Sequence, residues 1–176
     1  QVVGLSNVTK IAAAGAHTCA IREDRSAWCW GYNGHGQLGD ASTTDRVTPI
    51  RVHGLSEVSS IATGDYHTCA IDTAGAVWCW GDNGYGQIGD GSATSRFEPV
   101  AITGMTHAVQ LTAGNVHTCA LRDDGTVWCW GRNNGYQCGG SNTANRLVPT
   151  QVEGIANAVQ VSAGFAFTCA RLSDGS

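Results

Sequence analysis

The sequence repeats itself with a step of fifty residues. His17-Thr18-Cys19-Ala20 returns at 67–70 and 117–120, and again as Phe167-Thr168-Cys169-Ala170. Trp28-Cys29-Trp30-Gly31 returns at 78–81 and 128–131, and Arg46, Pro49 and Gly54 recur at the same interval with no insertion between copies. A strict period of this length is the mark of a repeat array, in which each unit buries its apolar face only against its neighbours. The 176 residues hold about 3.5 copies. The chain therefore reads as a single array over 1–176, with units at about 8–57, 58–107 and 108–157 and a partial unit at 158–176.

Each copy reads as β-structure. In the third, Val109–Thr112, His117–Leu121 and Val127–Trp130 have strand character, and a fourth extended piece begins at Pro149. Asp124-Gly125 supplies a strong hairpin signal between the second and third strands. No stretch carries a helical i, i+3, i+4 period over a useful length. Four short antiparallel strands per fifty residues fit the blade of a β-propeller. A β-solenoid is the competing architecture, but its coils are usually shorter.

Composition narrows the function classes. Charged residues are only 14% against 42% apolar, which argues against a disordered chain, and the formal charge of −4 argues against general nucleic-acid or anionic-membrane binding. No apolar run reaches the ~18 residues of a membrane-spanning helix. The 24 glycines sit largely in Gly-rich runs that lack the Gly-Lys-Ser/Thr ending of a phosphate loop and suit tight turns instead.

The stretch Ala-Val-Trp-Cys-Trp-Gly-Asp-Asn-Gly-Tyr-Gly-Gln-Ile-Gly-Asp-Gly at 76–91, preceded by His67-Thr68-Cys69-Ala70-Ile71, resembles the regulator of chromosome condensation repeat, and the resemblance covers essentially the whole chain. It implies an all-β fold: about 3.5 four-stranded units of an expected seven-bladed propeller, hence a fragment of a longer protein. The paired cysteines resemble the variant of this repeat in secreted or surface-attached bacterial proteins. The third copy departs from the pattern, with Asn134-Gly135-Tyr136 where Gly34-His35-Gly36 and Gly84-Tyr85-Gly86 stand, and Ala14-Gly15 displaces the glycine of Gly64 and Gly114.

Cys19 and Cys29, Cys69 and Cys79, and Cys119 and Cys129 are each ten residues apart. A three-residue hairpin loop such as Asp123-Asp124-Gly125 sets Arg122 against Thr126 and therefore Cys119 against Cys129. Facing Cα atoms ~4.5–5.5 Å apart can be bridged by a disulfide. Such staples imply an oxidising compartment, extracellular or at the cell surface. Free core thiols are the competing reading, and a zinc site fits the spacing poorly. Cys138, in the place of Leu38 and Ile88, reads as a buried thiol, whereas Cys169 is left without a mate.

Trp28 and Trp30 alternate with Cys29, so their rings share one face with Thr18 and Ala20 and suit blade packing. His17, His67 and His117 read as buried histidines bonded to backbone rather than as ligands or bases. No catalytic, cofactor-binding or metal-ligating constellation stands out, so a non-enzymatic protein-binding scaffold is expected. Recognition would fall to positions that vary between copies on the loops: Tyr32, His35, Asp65, Tyr66, Asp82, Tyr85, Asn115, Arg132 and Tyr136, with Arg25, Val116 and Phe165 nearby. The partner would be another protein, with enzyme inhibition as one form, and neither nucleic acid nor membrane insertion is expected. Exposed blade edges would favour association of an isolated fragment. The alternative, nucleotide exchange on a small GTPase, follows from the family's namesake.

Overall fold

The computed structural model describes residues 2–176. Three four-stranded antiparallel sheets follow one another along the chain and a two-stranded sheet completes the series. The first blade holds β1 (Val8–Ala14), β2 (His17–Arg22), β3 (Ala27–Gly31) and β4 (Arg46–Arg51). The second holds β5 (Val58–Thr63), β6 (His67–Asp72), β7 (Val77–Gly81) and β8 (Arg96–Ala101). The third holds β9 (Ala108–Ala113), β10 (His117–Arg122), β11 (Val127–Gly131) and β12 (Arg146–Gln151). Strands β13 (Ala158–Ala163) and β14 (Thr168–Leu172) form the last. Each full sheet keeps the order of the sequence, and each inner strand packs on the first two strands of the blade before it: β5 on β1 and β2, β9 on β5 and β6, β13 on β9 and β10. This is the radial stacking of propeller blades, as the repeat implies.

The hairpin between the second and third strands sets the register of the blade. Arg22, Asp72 and Arg122 donate their amide N–H to Ser26, Ala76 and Thr126 across a three-residue loop. That odd loop places Cys19, Cys69 and Cys119 opposite Cys29, Cys79 and Cys129. All three pairs are disulfides with Cα atoms 4.1 Å apart. A loop this short yields about 3 kcal/mol or less per bridge. Cys138 is buried and free, and Cys169 is free and exposed.

Alternation along the third strand then divides its two faces between neighbouring blades. The tryptophans face backward: Trp80 Nε1 donates to Gln37 O at 2.9 Å, and the Trp130 indole lies against Gly89. The sulfurs face forward, Cys69 Sγ lying 3.9 Å from Thr118 Oγ1. Trp80 and Trp130 are wholly buried. Trp30 is half-buried, and so are Trp28, Trp78 and Trp128, of which Trp78 and Trp128 pack against the buried clusters. Trp28, Trp78 and Trp128 stand nearer the hairpin, where their indole N–H groups bond to Ser26, Asp72 and Thr126. Trp28 and Trp128 also lie under Arg22 and Arg122.

The histidines are buried as expected, but their partner is not backbone. His17 Nε2 lies 2.8 Å from Thr68 Oγ1, His67 Nε2 lies 2.8 Å from Thr118 Oγ1, and His117 Nε2 lies 3.0 Å from Thr168 Oγ1. Each contact reaches the following blade. Period-two alternation within one sheet carries no information about which side chain the next sheet offers, so the threonines could not be found from the repeat alone.

Candidate interaction face

Strand direction sends the β1–β2 turns and the long loops after β3, β7 and β11 to one face of the array, and the short hairpins to the other. The long loops are built around a buried asparagine. Asn83 Nδ2 donates to Asp90 Oδ1 at 3.1 Å, Ser92 O at 3.0 Å and Thr94 O at 3.2 Å, while its Oδ1 accepts from the Ile88 amide at 3.0 Å. Asn33 does the same in the first blade with Asp40, Ser42, Thr44 and Leu38. Asn33, Asn83 and Asn133 are wholly buried, and one amide side chain thus satisfies the backbone of a whole loop. Their recurrence at the fifty-residue step is the signal in the sequence that marks them.

Arg46 and Arg96 close these loops on Asp40 and Asp90 at 2.6 and 2.7 Å. Burial works against the charge of Asp40, but hydrogen bonds from Ser42, Arg46 and Asn33 outweigh it and hold the carboxyl below its usual range; Asp90 is held in the same way by Ser92 and Arg96. The third loop keeps the same turn despite its altered sequence. The Tyr136 amide bonds to Asn133 O as those of Gly36 and Gly86 bond to Asn33 and Asn83. Tyr136 thereby adopts the left-handed φ of 62° that glycine supplies in the other copies.

On this frame the variable residues form two groups across blade boundaries. Tyr32 and Tyr66 meet edge to face at 6.0 Å, and His35 lies 5.0 Å from Tyr66. His35 Nδ1 is 3.8 Å from Asp82 Oδ1, and Gln87 Nε2 donates to Asp82 Oδ2 at 2.6 Å. This first group joins blades one and two. The second joins blades two and three, with the Arg132 guanidinium 5.1 Å from the centre of the Tyr85 ring. All four tyrosines of the set keep about two-fifths or more of their surface exposed.

Asp65 and Asn115 belong to neither group. Their amides bond to Asn115 O and Phe165 O, chaining the β1–β2 turns of successive blades. Tyr136 stands apart and exposed, and Val116 is buried. Arg25 lies on the opposite face, in the β2–β3 hairpin, where it pairs with Glu57 at 3.0 Å.

Stapled four-stranded blades, each packed on the one before it and carrying their variation on one loop face, define the class: a β-propeller of fifty-residue repeats. The chain belongs to the Regulator of chromosome condensation (RCC1) repeat family, whose repeat matches at 26–71, 74–121 and 124–171, and in a second form at 8–37, 58–87 and 108–137. Over 44 residues it is 48% identical to the Ultraviolet-B receptor UVR8 of Arabidopsis thaliana, and over 45 residues 38% identical to the RCC1 domain-containing protein RUG3, mitochondrial, of the same organism. These stretches are 24% and 26% of the chain and 10% of each relative. Among solved structures, Prp20p of Saccharomyces cerevisiae superposes with a TM-score of 0.86 at 24% identity, over 95% of the chain and 44% of Prp20p. Human WBSCR16 gives 0.84 at 24% identity, over 95% of the chain and 45% of that protein. The chain thus spans less than half the length of these structures, and likeness at this identity shows the fold.

Proposed function

We propose that the array is a non-catalytic scaffold that binds another protein through its loop face, outside the cell or at the cell surface. One observation carries this reading: the residues repeated in every copy are consumed by the frame, while the exposed Tyr32, Tyr66 and Tyr85 and the half-buried Arg132, which differ between copies, gather on one side. Tyrosine and arginine are the side chains that most often anchor protein interfaces. Three disulfides support the oxidising compartment. The net charge of −4 supports a protein rather than a nucleic-acid partner.

The competing role, nucleotide exchange on a small GTPase, draws on Prp20p, whose described binding is to Gsp1p and histones. The two readings separate in one experiment. Capture of secreted and surface proteins by the full-length protein is compared with capture by a Tyr66→Ala/Arg132→Ala variant. Loss of a specific partner by about tenfold or more supports the loop face, since anchor residues carry that much binding energy. Unchanged capture, or capture of a GTPase with faster nucleotide release, overturns it.

A further inference from the structure

The third long loop has lost the carboxylate that its arginine grips in the other two. Arg46 Nε donates to Asp40 Oδ2 at 2.8 Å, and Arg96 Nε to Asp90 Oδ2 at 2.7 Å, with Nη2 on the same oxygen in each case. At the corresponding positions stand Arg146 and Gly140. No carboxylate lies within 4.0 Å of Arg146 among the described residues. Its Nη2 has moved to the Gly139 carbonyl at 2.7 Å, and its Nη1 is buried with no hydrogen-bond partner. A buried guanidinium N–H without an acceptor is costly, and of the Nε–Nη2 edge that grips the acid in the first two copies only Nη2 is refilled here, by Gly139 O, leaving Nε without a partner among the described residues.

The surroundings favour an incoming anion. The loop 131–146 carries Arg132 and Arg146 and no acid, whereas 31–46 sets Asp40 and Asp45 against Arg46, and 81–96 sets Asp82 and Asp90 against Arg96. Cys138 cannot act as counter-ion, because burial pushes its thiol up to about 12. Beside Arg146 lies a concavity of about 240 Å³, lined by Gly140, Ser141, Asn142 and Asn145 and by one acid, Glu153, which is not within 4.0 Å of the guanidinium. Asn142 and Asn145 replace Ser42 and Asp45 of the first copy, so an acid has given way to amide groups at a second place in the same loop.

We propose that this concavity is a carboxylate-binding site, in which Arg146 receives from a ligand the group that Asp40 and Asp90 supply from within the chain. The ligand is either a small free carboxylate or the side chain of an acidic residue in a bound peptide. Planar bidentate recognition by the guanidinium is common to both. The site shares its loop with Arg132 of the second tyrosine group, since Arg146 pairs with Gly131, but it stands on Arg146, which the binding role proposed for that group does not use.

The test is a side-chain ¹H–¹⁵N titration of the folded chain at pH 7, with Arg146, Arg46 and Arg96 assigned through the backbone so that no variant is needed. Sodium acetate, added at constant ionic strength against sodium chloride, is expected to move the Arg146 Nε resonance saturably. The shift should exceed those of Arg46 and Arg96 by about threefold or more, because their forks are already filled. Acetamide should leave Arg146 in place. A blocked tripeptide with one central aspartate then distinguishes the sources. Saturation at about tenfold lower concentration than acetate assigns the site to a peptide, and equal or weaker binding assigns it to a small carboxylate. An unmoved Arg146, or three arginines moving alike, overturns the proposal.

Discussion

His67 reaches out of its own blade to Thr118, Nε2 lying 2.8 Å from Oγ1, and the Thr118 hydroxyl passes its single proton on to Gln87 O at 2.9 Å. The hydroxyl must therefore accept from His67, which fixes the imidazole as the neutral Nε2–H tautomer. Thr68 is bonded in the same way between His17 and Gln37 O. A short polar relay thus crosses the first two blade boundaries, inside an otherwise apolar contact, and His117 with Thr168 repeats its first link at the third.

Acid should dissolve these relays. Burial lowers His17 and His117 to about 4 and His67 to about 3, against 6.5 for a free imidazole; His17 and His117 add their charges against His67. Between pH 6.5 and about 4 the unfolded chain binds more protons than the folded one, so stability falls as the pH falls through that window. Each histidine contributes on the order of 3 kcal/mol to the loss by pH 4. His67→Phe, the change already present at Phe167, is expected to lower stability at pH 7 by about 1–2 kcal/mol and to flatten the acid slope. Urea midpoints at pH 7, 5.5 and 4.5 check both; an unaltered slope would refute the relay.

Gly89→Ala should destabilise although it adds one methyl group. Gly89 has φ +86°, and a Cβ there would fall 2.7 Å from the Trp130 ring of the next blade. Left-handed strain and collision together are expected to cost about 2–4 kcal/mol. The buried Trp130 indole should then show a red-shifted fluorescence maximum before global unfolding. Gly54→Ala, where φ is +64° but no atom lies within 4 Å, isolates the backbone share.

Removing the amide of Asn83 should melt its loop. Its substitution by alanine strands the Ile88 amide and the carbonyls of Ser92 and Thr94. The expected loss is about 2–4 kcal/mol, with faster amide exchange confined first to 82–95. Asn134→Ala, at an exposed position bonded only to Arg132, should stay within about 0.5 kcal/mol.

Thiol chemistry should separate the eight cysteines into three kinds. The intact mass of the unreduced chain is expected to lie about 6 Da below that of the reduced chain, two for each bridge. Without reductant, iodoacetamide should label Cys169 in the folded chain and reach Cys138 only after denaturant is added. Four or more native labels would contradict the staples.

Fold and staples were legible because they depend on relations inside one blade. A three-residue hairpin fixes parity, parity sets Cys69 against Cys79, and the fifty-residue step repeats the result. The long-loop tyrosines were legible as variable positions for the same reason. What the sequence did not show lies between blades. That Thr118 answers His67, that Arg132 covers Tyr85, and that Tyr32 meets Tyr66 are outcomes of how far one sheet is rotated against the next. Local alternation of side chains says which face of a strand a residue occupies. Only the stacking of sheets decides what that face meets; the acid that Arg146 lacks, by contrast, is already missing from the sequence at Gly140.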